Sequence, residues 1–196
     1  MKNIYLDCGR HFGEGLEHFC KKLRINNEWK IYSFEANPVT HDFFIKNKKI
    51  KFLDLDCEFI HSAVMDFSGE TEMLIASNES EFEMSGGSSC LSINTWNPRN
   101  NFEKSYSRTI KVPCVNFSNF VKNLPKFANI YCKLDIEGAE FDVIESMIEN
   151  GSIQRIRKFW IEFHENFTTK KKFYKQRKKN ITDFFKKNSI QYEEWR

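Results

Sequence analysis

Two hydrophobic rhythms alternate along this chain. Short, mostly apolar runs such as Ile4-Tyr-Leu6, Ile31-Tyr-Ser-Phe34, Ile130-Tyr-Cys132 and Phe159-Trp-Ile161 are each followed within three residues by a carboxylate. Between them stand segments whose apolar residues recur three and four apart, as in Leu16, Phe19 and Leu23 or Phe141, Ile144 and Met147. The first rhythm predicts buried strands and the second amphipathic helices. Strands are expected near 3–7, 30–34, 58–64, 71–76, 108–115, 129–135, 157–163 and 189–194, and helices near 14–24, 38–46, 117–123, 138–148 and 168–188. Strands alternating with helices imply a largely parallel sheet with right-handed crossovers. Residues 78–107 break the rhythm: they are polar, hold Gly86-Gly87 and Pro98, and predict a loop or lid over a binding site. With no internal repeat and no linker, residues 1–196 are expected to form a single domain.

Composition narrows the class. Apolar residues make up 40% and charged residues 29%, as in soluble globular proteins, and no stretch reaches the roughly 20 apolar residues of a membrane span. Met1-Lys-Asn leads straight into the first strand, leaving no room for a secretory signal, and the six cysteines lack any C-x-x-C pair. A cytoplasmic protein without zinc or disulfides is expected. The net charge of +3 does not announce a nucleic-acid binder. A basic run from Thr169 to Asn180 reads first as a solvated helix face with Phe173 and Tyr174 against the core, and second as a surface for an anionic partner.

Candidate chemistry sits where the strands end. Tyr131-Cys-Lys-Leu-Asp-Ile-Glu-Gly-Ala-Glu140 gathers Asp135, Glu137 and Glu140 at the carboxyl end of a strand, where like charges are costly unless a site needs them. Ligands of open α/β sheets bind at that end. Asp7-Cys-Gly-Arg-His-Phe-Gly13 follows the first strand. Its glycines permit a sharp turn, but the spacing is not that of a dinucleotide fold, and Asp7 would repel a pyrophosphate. Glu35 ends the second strand, placed to accept hydrogen bonds from ribose hydroxyls, and Pro38 opens the next helix.

Together, Asp7-Cys-Gly-Arg-His-Phe-Gly13, Phe34-Glu-Ala-Asn-Pro38 and Lys133-Leu-Asp-Ile-Glu-Gly-Ala-Glu140 resemble the FkbM-type S-adenosylmethionine-dependent methyltransferases. Ser62-Ala-Val-Met-Asp-Phe-Ser-Gly69, Gly86-Gly-Ser-Ser-Cys-Leu91 and Phe159-Trp-Ile-Glu-Phe-His-Glu165 follow in that family's order, so the resemblance spans about Asn3 to Glu165. Arg10 and His11, where the family's first loop often has small residues, would alter the substrate mouth, and Phe117-Ser118 also departs from the usual pattern.

The resemblance implies an α/β fold: a Rossmann-like class I methyltransferase sandwich, its mostly parallel sheet carrying helices on both faces. It implies S-adenosyl-L-methionine as cofactor, with Asp7 on the methionine part, Gly9 and Gly13 against the ligand, Glu35 and its motif neighbour Asn37 at the ribose, Ser62 and Ala63 at the adenine, and Asp135 beside the methyl group. Asp135, Glu137 and His164 are the catalytic candidates, with His164 or Asp135 as the base. Glu140 and Lys133 are expected to be structural, and the spacing assigns no metal. The expected activity is O-methylation of a sugar, glycan or glycan precursor. An RNA methyltransferase and a lapsed cofactor-binding subunit are the alternatives, and a dehydrogenase is disfavoured by the glycine spacing. A family sheet usually closes with an antiparallel pair; this chain is expected to be a strand short, which would expose an edge that a homodimer can cover.

Overall fold

A computed structural model describes residues 2–77, 86–91 and 105–195. Six strands, β1 (Asn3–Cys8), β2 (Lys30–Glu35), β3 (Asp56–His61), β7 (Asn129–Leu134), β8 (Ile156–Ile161) and β9 (Gln191–Glu194), form one sheet in the order β3-β2-β1-β7-β8-β9. Every pairing in it is parallel. Helices α1 (Glu14–Lys22), α2 (Pro38–Asn47), α4 (Glu140–Glu149) and α5 (Lys171–Lys187) make crossovers between parallel strands, and α3 (Phe117–Asn123) leads into β7.

Alternation along the strands divides the core. Ile4, Leu6 and Cys8 pack with Phe117 and Val121 of α3, Phe141 and Ile144 of α4, and Phe185 of α5. Tyr5, Ile31 and Trp160 face the other way, onto Leu16 and Phe19 of α1 and Phe44 of α2. Both faces are thus covered, as the α/β sandwich requires, and each buried side chain of this size contributes about 1.5–3 kcal/mol.

The expected strand at 58–64 is two strands. After His61 the chain leaves the parallel sheet at Ser62, whose N–H donates to the Glu35 carbonyl at 3.0 Å. It then forms β4 (Ala63–Met65) in a second sheet, ordered β4-β6-β5, with β5 (Gly69–Ser77) antiparallel to β6 (Ser105–Asn116). The strands expected at 71–76 and 108–115 therefore pair with each other. At the far edge, β9 lies parallel to β8, and among the described residues it alone closes that side.

Two boundaries shift for local reasons. The helix expected from 138 begins at Glu140, because Glu137 and Gly138 take positive φ (53° and 105°) and form a turn. The helix expected from 168 begins at Lys171, after a 3₁₀ turn at Glu165–Phe167. On α5 it is Tyr174, Ile181 and Phe185 that are buried, whereas Phe173 is 57% exposed, so the expected core contact of Phe173 does not form. Arg177 reaches Asp142 and Glu145 of α4, each at 2.6 Å. No described helix is long and apolar enough to cross a membrane.

Candidate functional site

The chain leaves β1 through a turn that only glycine can make. Gly9 has φ 81°, and a Cβ there would stand 1.7 Å from the Asp135 carbonyl oxygen on the neighbouring strand end. The Gly9 and Arg10 N–H groups both donate to the Phe34 carbonyl of β2, at 3.2 and 2.9 Å. Arg10 is buried, with its guanidinium 4.3 Å from the Phe44 ring centroid, donating to the Ser33 carbonyl at 3.2 Å and bonded to His41 Nδ1 at 3.0 Å. Burial first, then Arg10 and His61, hold the His41 pKa down to about 4.

Glu35 ties this turn to the end of β2. Its Oε2 accepts the His11 N–H at 2.7 Å and its Oε1 the Asn37 N–H at 2.8 Å. Asn37 then caps α2, its side-chain oxygen accepting the Val39 N–H at 2.9 Å. Asp7 lies underneath, fully buried on the α1 side, accepting from Ser33 Oγ at 2.8 Å with Lys133 Nζ 3.9 Å away. Burial raises its pKa, opposed by Lys133, Ser33 and Arg10.

A cavity of about 230 Å³ opens above these strand ends. Gly9, Glu35 and Asn37 form one wall, and Ser62, Ala63, Met65 and Met73 a second, largely apolar one. Gly86, Gly87, Ser88 and Cys90 cross over it. That short segment is docked: Leu74 and Ser89 exchange both backbone hydrogen bonds, at 2.8 and 3.0 Å, and Ser89 Oγ donates to the Glu137 carbonyl at 2.6 Å. The remainder of the expected lid, 78–85 and 92–104, lies outside the described residues, while 105–107 belong to β6.

The far end of the cavity is acidic, lined by Asp135, Glu137 and Glu162. All three face His164 Nε2, at 3.9, 3.4 and 3.8 Å respectively. On the other side of the ring, Nδ1 stands 3.3 Å from Oε1 of the fully buried Glu140, which also accepts the N–H groups of Gly138 and His164, both at 2.8 Å. Burial alone would lower the His164 pKa, but Glu140, Glu137 and Asp135 outweigh it and push it up to about 10. Burial, and then the charge of Asp135, raises the Glu162 pKa. Lys133, buried beneath, pairs with Asp135 Oδ2 at 3.1 Å and donates to the Gly9 carbonyl. Donor atoms of Asp135, Glu162 and His164 all lie within 4.8 Å of one another, a spacing open to a cation.

Against known families, the methyltransferase FkbM domain matches residues 7–191 of the chain's 196. The chain belongs to the FkbM methyltransferase family. Among curated proteins and solved structures nothing matches the chain.

Within this FkbM methyltransferase, the residues singled out by motif divide into three groups. Gly9, Glu35, Asn37, Ser62, Ala63, Asp135 and Glu137 line one cavity, although they come from four separate stretches of sequence. Asp7 and Gly13 do not line it. The Asp7 carboxylate points away beneath α1, and Gly13, with φ 90°, caps α1, where a Cβ would meet the Phe44 ring at 2.7 Å. Their motif serves the turn, and the turn presents Gly9 and His11. Arg10 likewise sits under the loop instead of at the mouth.

His164 is the third case. It is buried and does not line the cavity, and Glu140, Glu137 and Asp135 around its ring raise its pKa. Motif reading passed over Glu162, although the signal was present. Two residues apart on an extended chain, Glu162 and His164 share a face.

Proposed function

We propose that this FkbM methyltransferase uses S-adenosyl-L-methionine to methylate a hydroxyl of a sugar, glycan or glycan precursor. The observation that carries the reading is Glu35: a strand-end carboxylate on the cavity wall whose oxygens each hold one backbone N–H. A carboxylate oxygen accepts about two hydrogen bonds, so both keep capacity for a ribose hydroxyl. The cofactor supplies an electrophilic methyl group on a sulfonium. Glu35 would take the ribose, and Ser62, Ala63, Met65 and Met73 would flank the adenine. Gly9 lets the chain turn without a side chain in the way. Asp135 and its acidic neighbours complement the positive charge at the sulfonium end.

Glu137 is the residue placed to accept the acceptor's proton. It lines the cavity, 27% of its side chain is exposed, and His164 holds it from behind. The same acidic end favours a neutral polyol, whose hydroxyls donate to carboxylates, over an RNA backbone, whose phosphates three carboxylates would repel. Calorimetry should detect S-adenosylmethionine and its demethylated product but not NAD. Labelled methyl groups should pass to a sugar or glycan fraction and not to RNA. Glu137→Gln should lower turnover by about 10²–10⁴ with cofactor affinity kept. Tight NAD binding without the methyl donor would overturn the reading, and methyl transfer to RNA alone would overturn its acceptor.

A further inference from the structure

We propose that the amino end of the parallel sheet is a docking surface for an anionic lipid bilayer. Ile50, Leu53 and Phe127 would enter the interface, and the lysines around them would meet its headgroups. This end lies opposite the cavity, and the proposal is independent of the methyl-transfer reading.

Topology polarises the charge. Every strand of the six-stranded sheet runs the same way, so the turns that lead into the strands gather at one end and the cavity lies at the other. A strand the length of β1 separates the two ends by about 20 Å. Residues 21–29, 46–55, 122–128, 149–155 and 186–190, which lead into β2, β3, β7, β8 and β9, hold twelve Lys and Arg against three Asp and Glu. Residues 9–13, 36–37, 62, 135–139 and 162–170, at the other end, hold two against four. The overall charge of +3 therefore hides a basic end and an acidic one. Lys51 pairs with Glu17, but among the described residues Lys46, Lys48, Lys49, Lys122 and Lys126 have no carboxylate partner.

The apolar residues at the basic end are held in place from below. Ile50 and Leu53 are 73% and 65% exposed. They belong to a 3₁₀ turn at Lys49–Phe52, continued by the Leu53 N–H on the Ile50 carbonyl at 3.5 Å, and residues three apart in such a turn stand on one face. Between them Phe52 is buried, stacked on Phe44 at 5.9 Å. Phe127, 74% exposed, is presented from the opposite helical layer, after α3. Its turn is held by Arg155, whose guanidinium donates to the carbonyls of Lys122, Leu124 and Pro125 at 2.8–3.1 Å. Three strand spacings, roughly 14 Å, separate β3 from β7, so the two points suit a broad surface more than a single pocket.

Chemistry chooses the occupant. An isolated exposed apolar side chain is ordinary, but fixed ones ringed by unpaired lysines match the interface of a bilayer that carries negative lipids. A nucleic acid would use the lysines yet gain little from Ile50 and Leu53, because aliphatic side chains offer a base no stacking face. No described helix can cross a membrane, so the contact is peripheral, and it leaves the cavity facing away from the lipid.

The test is flotation of the full chain with vesicles of phosphatidylcholine and phosphatidylglycerol, beside vesicles of phosphatidylcholine alone. Binding is expected only to the anionic vesicles and should weaken as salt rises. Ile50→Ser with Leu53→Ser, Phe127→Ser, and Lys48→Glu with Lys49→Glu should each weaken it at least about tenfold, with urea midpoints unchanged. Phe173→Ser, which alters an exposed aromatic beside Lys171 and Lys172 at the opposite end, should leave vesicle binding as it is. Absence of binding to the anionic vesicles overturns the proposal. So does binding lost in Phe173→Ser but kept without Ile50 and Leu53, which would move the surface to α5. Binding that needs the lysines but none of the three apolar residues, and that an RNA oligomer competes away, overturns it in favour of a nucleic-acid surface.

Discussion

The two ends of the cavity are built on opposite principles. At the Glu35 end the fold ties the loop together with hydrogen bonds: Gly9 and Arg10 on the Phe34 carbonyl, Arg10 on Ser33 and His41, and Glu35 on the His11 and Asn37 N–H groups. At the other end three carboxylates share one imidazole at 3.4–3.9 Å, and burial with Asp135 raises the proton affinity of Glu162. The first is a finished cradle that holds a ligand by shape and by spare lone pairs. The second crowds like charges around one ring, which is where a developing positive charge is best complemented. Binding and chemistry place different demands on the same row of strand ends.

Substitutions should separate the two ends by sign as well as size. Gly9→Ala is expected to have the largest effect. Its Cβ would overlap a backbone carbonyl at 1.7 Å, and the residue holds φ 81°, so a loss of at least about 4 kcal/mol or failure to fold is expected in urea unfolding. A stable Gly9→Ala chain with normal cofactor affinity would remove the close approach of the two strand ends.

Next comes Glu35→Ala. Two charge-assisted bonds to backbone N–H groups would be lost, each worth about 1.5–3 kcal/mol, and cofactor affinity should fall with stability. Neutralising the other end should do the reverse. Glu162→Gln is expected to raise stability by a few tenths to about 1 kcal/mol, since a carboxylate with a raised pKa is better tolerated neutral. If Glu162→Gln destabilises as Glu35→Ala does, the contrast between the two ends fails.

The smallest effect is a pH dependence of the cradle. His41 carries a folded pKa of about 4, below its ordinary 6.5, with Arg10, the His61 ring and Asp42 as its charged or titratable neighbours. The unfolded chain then binds more protons between those values. The contribution is therefore full above pH 6.5 and lost as pH falls through 4. Urea midpoints should drop across that window in the native chain, and less in His41→Gln. An equal drop in both would take His41 out of the cradle's stability.

Much of the candidate site was legible because it is local. Gly9, Glu35 and Asp135 each stand where an apolar run breaks, and such breaks at strand ends show in a single sequence. Glu162 was readable by the same rule and was overlooked beside its histidine. The side on which Asp7 points was not readable. In a parallel sheet buried on both faces, alternation does not say which face carries which layer. Residues 71–76 and 108–115 likewise looked like any other strands, although they build a separate sheet whose Met65 and Met73 wall the cavity.

The sequence by itself determined the alternation of strand and helix, the turn that only glycine makes, the acidic strand ends and membership of the FkbM methyltransferases. Tertiary structure alone decided that Asp7 and Arg10 lie beneath the loop, that His164 Nδ1 stands 3.3 Å from the buried Glu140, and that Asp135 and Glu162 meet across two strands. The reason is range. Periodicity and turn chemistry act over a few neighbouring residues. Burial, register and the sum of nearby charges depend on segments far apart in the chain, and these set the protonation of a histidine and the company a carboxylate keeps.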